Sequence, residues 1–160
     1  MEDEKKYTVA EAHEYFAKNL NGRTWELLEK SGRTKAEDEL MIYAAQASCY
    51  HWLVAGTPLH HQRAEWLISR VYAVIGKPRA ALGHALRCME LTEQNPALMK
   101  DFDLAYACEA LARAHALAGD KEDAKKYLEE ARPLGQAIAN EEDKKIFLGD
   151  LQGGDWHGIH

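Results

Sequence analysis

The chain has little that would stiffen or staple it. Only four prolines occur in 160 residues, so long helices are free to run. Only three cysteines occur, Cys49, Cys88 and Cys108, far apart, odd in number and with no Cys-x-x-Cys pair. That excludes a disulfide scaffold and reads as reduced, buried thiols, with a cytoplasmic location expected. An excess of basic charge is missing as well: 26 acidic residues face 20 basic ones, a net charge of −6. A duplex-binding domain carries a basic face, so nucleic acid is not expected as a partner. No uninterrupted apolar run reaches the ~20 residues of a spanning helix, and no membrane partner is expected. Met1–Lys6 is charged and no apolar segment follows it, so no signal peptide is expected. Two-residue alternation is nowhere sustained, which argues against a sheet.

What is present is an ordinary globular composition, 46% hydrophobic and 29% charged. A single all-α domain over residues 1–160 is expected, with enough chain to bury a core. The charge is uneven. Arg63, Arg70, Lys77, Arg79 and Arg87 face only Glu65 within residues 63–87, a basic island in an acidic chain. It is either a local anion site or a solvated helix face. Between Met41 and Gln62 there is no charged side chain at all. A central buried helix is the first reading of that stretch, a helix covered by a second subunit the next, and membrane contact the last.

Helix boundaries are marked by caps and glycines. Thr8-Val9-Ala10-Glu11 and Thr34-Lys35-Ala36-Glu37 are capping boxes. The first opens a helix expected to end at Asn21-Gly22, with a short helix around Trp25–Lys30 after it. The second opens the charge-free helix, which runs to Ala55. Thr57-Pro58 starts a helix to Ile75, and another runs from about Pro78 to Thr92. Asn95-Pro96 reads as cap plus proline before a helix to Ala118. Asp120 caps the next helix, to about Ala139 with a kink or break at Pro133, and Asn140 caps the last, to Leu151. The tail from Gly153 has no regular pattern.

The chain also repeats itself. Gly76 and Gly119 are 43 residues apart; each is followed five residues on by alanine (Ala81, Ala124) and seven further by a small residue (Cys88, Ala131). Glycine permits the left-handed stop of a tight helical turn, and small residues let two antiparallel helices approach. Leu111, Ala112, His115, Gly119-Asp120 and Ala124 in one unit, with Ile68, Ser69, Tyr72, Gly76 and Ala81 in the other, resemble the tetratricopeptide (TPR) repeat. The 43-residue spacing exceeds that family's ~34, so helices or connections are longer here. The resemblance covers residues 62–138.

It implies antiparallel helical hairpins stacked as a short right-handed superhelix of about seven or eight helices. Residues 58–138 supply two units, 8–55 a degenerate repeat or cap, 140–152 a capping helix and 153–160 a tail. It also implies a non-catalytic scaffold that binds a protein or peptide in a concave groove. The groove positions of the family fall on Arg63, Trp66 and Arg70, and on Tyr106, Glu109 and Arg113. Arginine beside aromatics suits an acidic or carboxylate-bearing segment, through bidentate guanidinium contacts. The other reading of Arg63 and Arg70 is pairing with the chain's own acids. If the groove reading holds, reversing Arg70 and Arg113 to glutamate leaves the fold intact.

Residues for chemistry are sparse. His61 and Glu65 sit i, i+4 on one helix face, a workable ligand pair, and His51, His84 and His115 lie on other helices. No Glu-x-x-His or His-Glu-x-x-His is present, so structural histidines are expected and no metal or cofactor is assigned. His157 and His160 are a stray-metal possibility on the tail. No phosphate-cradling loop and no nucleophile elbow occur, and no catalytic residue is assigned. Two alternatives to the scaffold stand: a metal-binding bundle enzyme, and a self-associating protein, possible as a homodimer through Trp52 or Trp156.

Overall fold

Seven helices follow one another in the computed structural model, which describes residues 4–159; no strand occurs among them. They are α1 (Val9–Glu29), α2 (Lys35–Ala55), α3 (Pro58–Val74), α4 (Pro78–Gln94), α5 (Asp101–Ala118), α6 (Lys121–Gln136) and α7 (Glu141–Gln152). Met1–Asp3 and His160 lie outside the described residues. The helices pack in successive pairs, α1 with α2, α3 with α4 and α5 with α6, and α7 closes against α5 and α6. This is the all-α, repeat-like arrangement expected. No helix among the described residues is long and apolar enough to cross a membrane.

Local chemistry sets the boundaries. Both capping boxes form: Thr8 accepts from the Glu11 amide and Thr34 from the Glu37 amide, and each glutamate reaches back to its cap. Asp120 and Asn140 likewise accept from the amides of Asp123 and Asn140's third neighbour, Asp143. The hairpin turns use left-handed glycines at the two repeat positions, Gly76 (φ 78°) and Gly119 (φ 82°). Ala81, Cys88, Ala124 and Ala131, the small residues of the repeat, are fully buried. Gly119→Val therefore costs at least about 1 kcal/mol through the left-handed backbone. Ala124→Leu costs about 1–3 kcal/mol by overpacking. Urea unfolding of both variants measures these losses.

Three boundary expectations and one of burial are corrected. Asn21-Gly22 does not end a helix; α1 runs through it to Glu29, so Trp25 belongs to α1. Asn95-Pro96 opens only a 3-10 turn, Pro96–Leu98; extended backbone at Met99 interrupts it and α5 starts at Asp101. Pro133 does not break α6, which continues to Gln136. The charge-free helix is not central: α2 packs on α1 and α3 only along one side, leaving Tyr43 and Tyr50 about 60% exposed. Met41, Ala44, Ala45, Ser48 and Cys49 form the buried side of α2, and its opposite side is exposed although it carries no charge.

The tail departs from its patternless sequence. Ile159 is buried in the core formed by α5, α6 and α7, and Trp156 packs on the same core. Its indole N–H donates to the Leu151 carbonyl at 2.9 Å.

Candidate binding groove

The first helix of each pair, together with α7, turns one face inward. An aromatic ladder crosses that face. Trp25 of α1 stacks on Trp66 of α3 with centroids 5.9 Å apart. Trp66 meets Tyr106 of α5 edge-on at 5.1 Å, and Tyr106 meets Phe147 of α7 at 4.8 Å. Beside the ladder lies an open cavity of about 320 Å³ whose apolar lining includes Trp25, Trp66, Phe102, Tyr106 and Ile146. Gln62 also lines it; its Nε2 donates to Thr92 and to the Asp103 carbonyl, while its buried Oε1 has no partner.

Of the six residues expected in the groove, Arg63, Trp66 and Tyr106 line this cavity, Arg70, Glu109 and Arg113 cluster beside Trp66, and the arginines are already engaged. Arg63 donates to both carboxylate oxygens of Asp103, at 2.9 and 3.1 Å, and lies over the Phe102 ring. Glu109 is 1% exposed, and three groups surround its carboxylate. Trp66 Nε1 donates to it at 3.3 Å, Arg70 approaches at 3.6 Å, and Arg113 pairs with it directly. Arg113 also donates to the carbonyls of Asp150 and Gly153, and its guanidinium sits 4.1 Å from the Trp156 ring centroid. The carboxylates that satisfy the guanidinium groups come from α5 and not from an added ligand. The charge-reversal expectation changes with this finding: Arg113 is a buried clamp between α5 and the C-terminal segment, so its reversal damages the fold.

Tyr106 donates its hydroxyl to Asp150 Oδ2 at 2.6 Å. Burial, and then this hydrogen bond, push the Tyr106 pKa above its ordinary value. The cavity is thus an aromatic box with the Asp150 carboxylate as an acceptor on its lining. Trp25 and Asp150 line the cavity without a sequence signal for it: Trp25 follows Asn21-Gly22, which reads as a helix stop, and Asp150 lies outside the repeat.

The histidines on separate helices find separate partners. His51 Nδ1 is 2.8 Å from His13 Nδ1, His84 hydrogen-bonds Glu65, and His115 pairs with Asp120 and stacks on Tyr127. They are not gathered into one centre. Two other sets of metal-ligating atoms do come together among the described residues, Cys49–His61–Glu65 and His115–Asp120–Asp123. The second is accounted for by capping at the start of α6. Trp52 stacks on His60 at 4.3 Å, and Trp156 is held over Arg113, so both tryptophans expected at a dimer contact have intramolecular partners.

No family model, no curated protein and no solved structure matches the chain.

Proposed function

We propose that the chain is a non-catalytic, TPR-like scaffold that binds a protein or peptide segment in its concave groove. The aromatic cavity between α1, α3, α5 and α7 carries this reading. A volume of about 320 Å³ is enough for one large side chain. Buried aromatic contacts are the usual source of anchor energy at such surfaces. The ligand that fits has an apolar anchor residue and a hydrogen-bond donor beside it, for Asp150. An anchor held by arginine–carboxylate pairs fits less well, because Asp103 and Glu109 already occupy those guanidinium groups.

Selection from a random peptide display library tests this. Peptides enriched on the native protein are expected to share one large apolar residue with a donor-bearing neighbour. Ile146, 55% exposed on the rim, is the position for a control that spares the core. Binding is expected to fall at least about 10-fold with Ile146→Lys, the loss of roughly one good anchor contact. Enriched peptides that bind the variant equally well would overturn the proposal.

A second reading, self-association, rests on the outer face of α2. Tyr43, Tyr50, Leu53 and Val54 are more than half exposed there, in a stretch without charge after Glu39. It calls for a concentration-dependent dimer in light scattering that Leu53→Lys dissociates; a monomer at all concentrations would exclude it.

A further inference from the structure

Outside the groove, α2, α3 and α4 meet around one buried carboxylate. Glu65 is 8% exposed. Its Oε1 lies 3.2 Å from His61 Nε2, one turn earlier on α3. Its Oε2 lies 2.6 Å from His84 Nδ1 on α4. Cys49, buried on α2, places its thiol so that sulfur, imidazole nitrogen and carboxylate oxygen all fall within 4.8 Å of one another. None of these residues lines the aromatic cavity.

We propose that Cys49, His61 and Glu65 form a binding site for a divalent transition-metal ion of the zinc class. The donor set is one sulfur, one nitrogen and one oxygen, the mixture zinc accepts. Tetrahedral coordination at ordinary zinc bond lengths separates nitrogen from oxygen by about 3.3 Å and sulfur from nitrogen by about 3.5 Å. The His61–Glu65 separation of 3.2 Å already matches the first value. The thiol sulfur lies within 4.8 Å of both atoms. Three protein ligands leave the fourth position for water.

Charge supports the same assignment. Ion binding displaces the Cys49 thiol proton to solvent. The thiolate and the Glu65 carboxylate then balance the two positive charges, and the buried site becomes neutral. A supporting layer is already in place. His84 holds the second Glu65 oxygen, Tyr72 stacks on His84 at 5.7 Å, and Gln46 donates to the Tyr72 hydroxyl at 2.8 Å. Such outer contacts orient metal-ligating carboxylates. The site would tie the end hairpin to the middle one, and it stands or falls independently of the groove.

Cobalt titration of chelator-stripped protein provides the test. Co²⁺ is expected to produce a thiolate-to-cobalt charge-transfer absorption that saturates at one ion per chain and is displaced by Zn²⁺. Cys49→Ser is expected to abolish that band, whereas His157→Ala, on the tail, leaves it unchanged. His84→Ala is expected to weaken affinity about 10–100-fold. No band in the native protein, or an undiminished band in Cys49→Ser, overturns the proposal. Circular dichroism checks that Cys49→Ser stays helical. Should it unfold, Glu65→Gln carries the comparison: affinity lowered at least about 10-fold supports the site, and unchanged affinity overturns it.

Discussion

Arg113→Ala is expected to destabilise the protein by about 3–5 kcal/mol, the usual cost of breaking a buried ion pair from one side. Arg113 is 7% exposed and its partner Glu109 is 1% exposed. Truncation leaves the Glu109 charge with only the Trp66 indole and Arg70, 3.6 Å away. It also strips the carbonyls of Asp150 and Gly153 of their donor and removes the cation from beneath Trp156. The low end of the range is expected, because Arg70 still compensates part of the charge. Urea unfolding measures the loss. Adding Glu109→Gln is expected to restore part of it, since a neutral amide keeps an acceptor for Trp66 without a stranded charge. A loss under about 1 kcal/mol would show that Arg113 is not the clamp described.

Phe147→Ala is expected to cost a similar amount, about 3–5 kcal/mol, for a different reason. The ring is fully buried, packs edge-on against Tyr106, and lies against the backbone of α6 at Gly135. A Cβ at residue 135 would run into that ring, so glycine there is what lets α7 approach. Removing the ring opens a cavity under α7. Hydrogen exchange is expected to rise over residues 141–159 more than over α1–α4. Because Ile146 and Asp150 on α7 line the cavity, peptide binding is expected to weaken together with stability. Unchanged exchange in α7 would contradict the role assigned to Phe147.

Much of the architecture was legible because it rests on local signals. Capping boxes at Thr8 and Thr34 and glycines at Gly76 and Gly119 act within a few residues of the feature they set. The repeat offsets picked out Arg63, Trp66 and Tyr106, which line the cavity, and Arg70, Glu109 and Arg113, which pair beside it. What those residues do there depends on long-range partners. Asp103 faces Arg63 across 40 residues of sequence, and Asp150 reaches Tyr106 across 44. No spacing rule announces such contacts. Trp25 was hidden by Asn21-Gly22, which packing of α1 against α2 overrides as a stop signal. The Cys49–His61–Glu65 set was half legible, as an i, i+4 pair; the cysteine arrives only when α2 folds against α3.

The most direct test of the groove uses the four tryptophans, Trp25, Trp52, Trp66 and Trp156, whose indole N–H groups give separate nuclear magnetic resonance signals. A display-selected peptide is titrated into the labelled protein. The Trp25 and Trp66 signals are expected to move, because both rings line the cavity. Trp52, on α2, is expected to stay in place. Movement of Trp52 with Trp25 and Trp66 unchanged would contradict the groove and place the binding face on α2.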